Sequence, residues 1–212
     1  MRKYIWLSIA VWAAHAQTRE IGVMGGGGFL PGVPVAGAPS SVSAGFQSGL
    51  VVGASFTQNM YYHLSGEIGY LYEQRNLQLS SGSDSATFSG HAHVLEYELL
   101  YHLHPRNARV RPYFAVGGGM KIFEGTGSEA AYQPLMQYAF LTRTRELKPL
   151  VTFGGGVKLA LRGRMAARFD LRDQLTTFPT KLISPAPGMA INSWLHDFIP
   201  TLGVEWSLDN AR

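Results

Sequence analysis

Eight stretches of this 212-residue chain alternate apolar and polar residues with a period of two, and few folds accept that pattern. Successive side chains of a strand point to opposite faces, so each stretch reads as a strand with two unlike sides. The last is the clearest. Phe198, Pro200, Leu202, Val204, Trp206 and Leu208 share one face, opposite Ile199, Thr201, Gly203, Glu205 and Ser207. The sixth, Leu150 to Arg162, sets Val151, Phe153, Val157, Leu159 and Leu161 against Thr152, Gly154, Gly156, Lys158 and Arg162. The fifth (110–122), the seventh (165–174), the fourth (95–103) and the third (62–75) behave alike. The second sets Phe46, Leu50, Val52, Ala54 and Phe56 against polar or small neighbours, and the first, near Arg19 to Phe29, is the weakest.

A tilted strand crosses a bilayer in roughly 9–11 residues, which these stretches reach. No segment after the first sixteen residues offers the roughly 18 apolar residues of a spanning helix. Charged residues are only 15% of the chain, so a fully solvated exterior is hard to build. Strands of this length with one apolar and one polar face are the signature of a transmembrane barrel. Closure leaves no unpaired edge in lipid. The fold expected is all-β: an eight-stranded antiparallel up-and-down transmembrane β-barrel. Turns after stretches two, four and six are short (58–60, 104–109, 163–164). Connections after one, three, five and seven are longer (30–42, 78–86, 124–147, 176–196). Both ends of the barrel domain then fall on the short-turn side, in the periplasm.

Residues 1–16 read as an export signal, with 17–212 as the barrel domain. Arg2 and Lys3 form a positive start, Tyr4 to Ala14 an apolar run too short to span, and Ala14-His15-Ala16 a small-residue cleavage pattern. Without Arg2 and Lys3 the chain holds 16 bases against 14 acids. That balance does not suggest a nucleic-acid partner.

The polar faces carry Glu20, Glu67, Glu73, Glu96, Glu98, Asp170 and Glu205, against Arg75, Arg111, Lys121, Lys158, Arg162, Arg168 and Arg172. An eight-stranded barrel has an interior that side chains just fill. Charges there must pair, because a lone buried charge is costly. The expectation is a salt-bridged plug; a narrow gated pore is the alternative, and a wide porin is excluded.

Other chemistry is weaker. Gly25–Gly28 lacks the lysine and helix of a phosphate loop; with the glycines at 117–119 and 154–156, it is expected to make room for large facing side chains. His91/His93 and His102/His104 form two H-x-H pairs at opposite ends of the fourth strand, so they are not expected to share a metal. Ser81, Ser83, Asp84 and Ser85 have no histidine tied to them by a motif, so no catalytic set is expected. Arg143, Arg145 and Lys148 could meet lipopolysaccharide phosphates, although solvated loop charge is the commoner use. Aromatic residues group at the strand ends: Tyr61, Tyr62, Tyr101 and Trp206 toward the short turns, Tyr70, Tyr72 and Phe88 toward the long loops. Two interfacial girdles would look like this.

The passages LEYELLYHLHPRNARVRPYFAVGGG, VTFGGGVKLAL and LGVEWSL resemble the small outer-membrane barrels of the OmpA and OmpX type. The resemblance implies a non-enzymatic outer-membrane barrel with a structural, adhesive or surface-interaction role and no cofactor. Its implied surroundings are outer-membrane lipid and lipopolysaccharide, with periplasmic chaperones and the barrel-assembly machinery during biogenesis, and a monomeric state. Such barrels often end in an aromatic residue that the machinery reads; Leu208 stands there in this chain. A barrel enzyme acting on lipid A or phospholipid is the runner-up. A soluble lipocalin-like carrier would need the opposite sorting, apolar inside and polar outside.

Overall fold

The structure is a computed structural model that describes residues 18–209; the expected export signal lies outside the described residues. In chain order the strands are β1 (Thr18–Gly28), β2 (Val33–Pro34), β3 (Val42–Phe46), β4 (Gly49–Asn59), β5 (Leu64–Gln74), β6 (Leu77–Ser81), β7 (Asp84–Phe88), β8 (Gly90–His102), β9 (Val110–Gly125), β10 (Ala139–Leu141), β11 (Arg145–Ala160), β12 (Met165–Thr177), β13 (Ile183–Pro185) and β14 (Trp194–Ser207). Eight of them form a closed barrel in the order β1, β4, β5, β8, β9, β11, β12, β14, with β14 returning to β1. All neighbours are antiparallel, and Glu20 opposite Ser207 and Thr57 illustrates the register of the closing strand.

The period-two pattern sorts as its chemistry requires. Leu202 is 68% exposed and Phe114 63%, and Val23, Leu50, Ile68, Leu95, Val151 and Leu171 also face outward. Glu67, Glu98, Lys158 and Asp170 of the same wall are buried inside. Short turns join β4 to β5, β8 to β9 and β11 to β12, and both described ends of the chain lie at that end.

The long connections are not irregular loops. β2, β3, β6 and β7 form a four-stranded sheet, and β10 pairs with β13. Among these short strands β6 alternates most cleanly: Leu77 and Leu79 are fully buried while Gln78 and Ser80 are half-buried. None can bury its apolar side alone, since a two-stranded hairpin is marginal in water. Together they close a core of Val35, Val42, Phe46, Leu79, Leu182 and Ile183, against Phe123 and Leu195 of the barrel rim. Phe46 and Phe123 stack at 5.1 Å. This apolar cap corrects two expectations: Phe46 is not on the outer face of the second strand, and Phe88 is in the cap core rather than an interfacial girdle. Tyr61, Tyr62, Tyr70 and Tyr101 are exposed on the wall or its turns.

Candidate functional site

Inward-facing residues fill the barrel in layers. At the short-turn end, Lys158 Nζ lies 2.8 Å from both Glu20 and Glu205. Above it, Arg168 reaches three carboxylates. Its Nη2 donates to Glu67 at 2.8 Å, its Nη1 to Glu205 at 2.9 Å, and its Nε to Asp170. A bidentate guanidinium suits such a site because its donors form a rigid fork. Tyr113 donates to Asp170 and lies beneath Arg168 and Arg172 at 5.5 and 5.6 Å from its ring centre. Arg172 joins Asp170 at 2.9 Å to Glu98 at 2.8 Å. Gly156 makes room for this layer, since a Cβ there would stand 2.6 Å from the Tyr113 hydroxyl.

An apolar layer follows. Val51, Leu71, Val94, Leu150 and Ile199 pack together inside the barrel, with Met24 against them. Beyond it, toward the cap, lies a buried quartet. Arg75 donates to both oxygens of Asp197, at 2.8 and 2.7 Å, and its Nε is 3.1 Å from Glu73. Lys121 Nζ lies 2.6 Å from Glu73 and 2.7 Å from Asp197. Gln174 links the levels, accepting from Lys121 at 3.1 Å and donating to Glu96 at 3.2 Å. Gly28 leaves the space that the Arg75 guanidinium occupies.

Of the fourteen charges read from the sequence, Glu67, Glu73, Arg75, Glu96, Glu98, Arg111, Lys121, Lys158, Arg168, Asp170, Arg172 and Glu205 are buried and Glu20 is half-buried. Arg162 is the exception: it is exposed in the turn between β11 and β12. The alternation of β11 stops at Ala160, so its parity no longer governs Arg162. Asp197 is a buried member that the sequence reading missed. It has the parity of Ile199, Thr201 and Glu205, and starting the last strand one residue earlier would have found it. Removing Arg162 and adding Asp197 turns a balanced count into eight acids (Glu20, Glu67, Glu73, Glu96, Glu98, Asp170, Asp197, Glu205) and six bases (Arg75, Arg111, Lys121, Lys158, Arg168, Arg172).

Glu96 is the carboxylate least tied to a cation. Among the described residues it has no ion pair within 4.0 Å, whereas Glu98 holds Arg172 through both oxygens. Glu96→Gln is therefore expected to change stability by no more than about 1 kcal/mol, and Glu98→Gln to cost about 1.5–3 kcal/mol. Thermal unfolding of the two refolded variants in detergent would compare them. Equal midpoints would mean that the Glu98–Arg172 contact contributes nothing.

The remaining candidates separate. Ser81, Ser83, Asp84 and Ser85 sit at the tip of the β6–β7 hairpin, turned by Gly82 at φ 59°, a left-handed conformation that suits glycine. Arg145 pairs with Glu124 at 2.9 Å and Lys148 with Glu146 at 2.9 Å, which neutralises two of the three loop cations. The second H-x-H pair divides: His102 is buried beside Ser65 at 3.0 Å, while His104 is exposed and bonded to the Val110 carbonyl. The first pair stays together on the outer face of β8.

No protein-family model matches this chain, and no curated protein does. Solved structures do match. Neisserial surface protein A superposes with a TM-score of 0.58 at 9% identity, over 89% of this chain and 96% of that one. OprG, an outer membrane protein of Pseudomonas aeruginosa, gives 0.52 at 14% identity, over 92% and 98%. The outer membrane protein AlkL, solved in lipid bilayers, gives 0.52 at 14%, over 92% of each chain. The fold is that of the small eight-stranded outer-membrane barrels. At these identities the likeness is one of fold.

Proposed function

We propose that this chain is an integral outer-membrane barrel without enzymatic activity, closed to ions, whose capped outer end serves a structural, adhesive or surface-interaction role. The sorting of side chains supports the membrane placement. A belt of exposed Ile, Leu, Val, Phe and Tyr surrounds a charged interior, the reverse of a soluble barrel. The observation that carries the closed interior is the apolar layer of Val51, Leu71, Val94, Leu150 and Ile199 between two ion-paired levels. A hydrated ion crossing it would exchange water for hydrocarbon contacts, with Gln174, held between Lys121 and Glu96, the polar side chain that spans the levels. The cap places a second apolar barrier over the mouth. The ion pairs alone would not exclude a switching path, because paired side chains can exchange partners.

Recording from the refolded protein in planar bilayers tests the reading. Baseline current without stable steps is expected at any applied voltage that the bilayer survives. Reproducible unitary conductance would overturn the closed interior while leaving the fold untouched. The membrane placement has its own test: a mature protein that stays monomeric in buffer without detergent would remove it.

A further inference from the structure

His91 and His93 point outward from β8, and β9 brings Glu124 directly opposite His91. One ligand atom from each of the three lies within 4.8 Å of the other two. His91 Nε2 is 3.5 Å from Glu124 Oε2, and the two imidazole rings meet edge to face at 5.1 Å. We propose that His91, His93 and Glu124 bind a divalent transition-metal ion of the zinc class on the outer wall of the barrel, with water completing the coordination.

The donor set selects the ion. Two imidazoles and one carboxylate suit zinc and its neighbours, whereas calcium and magnesium want oxygen ligands. Three protein ligands with an open fourth position is a familiar zinc arrangement. Two histidines at i and i+2 stand on the same face of a strand, and the neighbouring strand supplies the third ligand at a fixed register. The supporting contacts are also in place. Tyr70 Oη bonds Nδ1 of His93 at 2.7 Å, which leaves Nε2 for the metal. Arg145 Nε holds Oε1 of Glu124 at 2.9 Å, which leaves Oε2 facing His91. Such outer contacts orient metal ligands and select the imidazole tautomer. All three ligands are half-buried, so the ion has a route in from solvent.

The position adds a physical reason. Going outward along β8 and β9, Leu95 and Met120 belong to the exposed apolar belt. His93 stands level with Ile122 and Tyr72, and His91 with Glu124 and Gln74. The cluster is thus where the apolar belt of this wall ends. Its ligands come from two adjacent strands, so a bound ion would cross-link β8 and β9 just below the cap.

Isothermal titration of the refolded full chain in detergent with zinc chloride tests the proposal. One saturable site per chain is expected, together with a higher thermal unfolding midpoint. His91→Ala and His93→Ala should remove the saturable heat and the shift in midpoint. Glu124→Gln, which keeps the shape of the side chain, and Tyr70→Phe should each weaken binding by about 10–100-fold. His196→Ala is the control, because His196 faces Asp173 elsewhere on the wall and should leave zinc binding unchanged. Absence of saturable zinc binding by the parent protein overturns the proposal. So does binding that survives Glu124→Gln and both histidine substitutions.

Discussion

Replacing Arg168 with alanine is expected to lower the unfolding free energy by about 3–5 kcal/mol, the largest effect of any single charge in the barrel. Glu67, Asp170 and Glu205 all bond this one guanidinium, and all three are buried. Without it they face one another across a narrow interior. Lys158 still holds Glu205 and Arg172 still holds Asp170, but Glu67 keeps only the Thr57 hydroxyl, at 2.5 Å. A buried carboxylate stripped of its cation costs more than the pair contributed, because its desolvation is no longer offset. Urea unfolding of the refolded variant, followed by tryptophan fluorescence or by the mobility of unheated samples in gels, reads the loss. Arg162→Ala is the comparison. It is exposed in a turn, and its substitution should stay within about 0.5 kcal/mol of the parent. Indistinguishable midpoints for the two alanine variants would refute the role given to Arg168.

The second large effect concerns the cap and should leave the barrel standing. Leu79 is fully buried between β3 and β7, among Val42, Ala44 and Phe88. Leu79→Asp places a carboxylate there without a partner. The penalty is about 3 kcal/mol or more, enough to open the four-stranded sheet at least about a hundredfold more often. Cleavage of the 75–89 connection by an added protease should accelerate by a similar factor, since cutting tracks the population of the open form. The barrel wall has its own hydrogen-bonded closure and its own layers of buried contacts, so the remaining fragments should still migrate as a folded barrel before heating. Unchanged cleavage would show that the cap is not held by this core. Collapse of the barrel along with the cap would show that the two form one cooperative unit.

What the sequence determined by itself is the wall: eight strands, which residues face outward, and the carboxylates and bases that face in. That much was legible because alternation is local. Within one strand, the side that a residue takes follows from its parity alone, and the need to bury or expose that side sets the strand's place. Where parity was followed too far, Arg162 was wrongly placed inside; where it was not followed far enough, Asp197 was missed. Tertiary structure alone decided the rest. The cap strands carry too few apolar residues each to reveal a core, and only the meeting of four separate connections gives Leu79 and Ile183 something to pack against. The apolar layer inside the barrel is likewise assembled from single residues on different strands: Val51, Leu71, Val94, Leu150 and Ile199. Glu124 lies 31 positions beyond His93, and no spacing rule links them. The register of β8 against β9 does, because hydrogen bonding between adjacent strands fixes which side chains stand opposite one another.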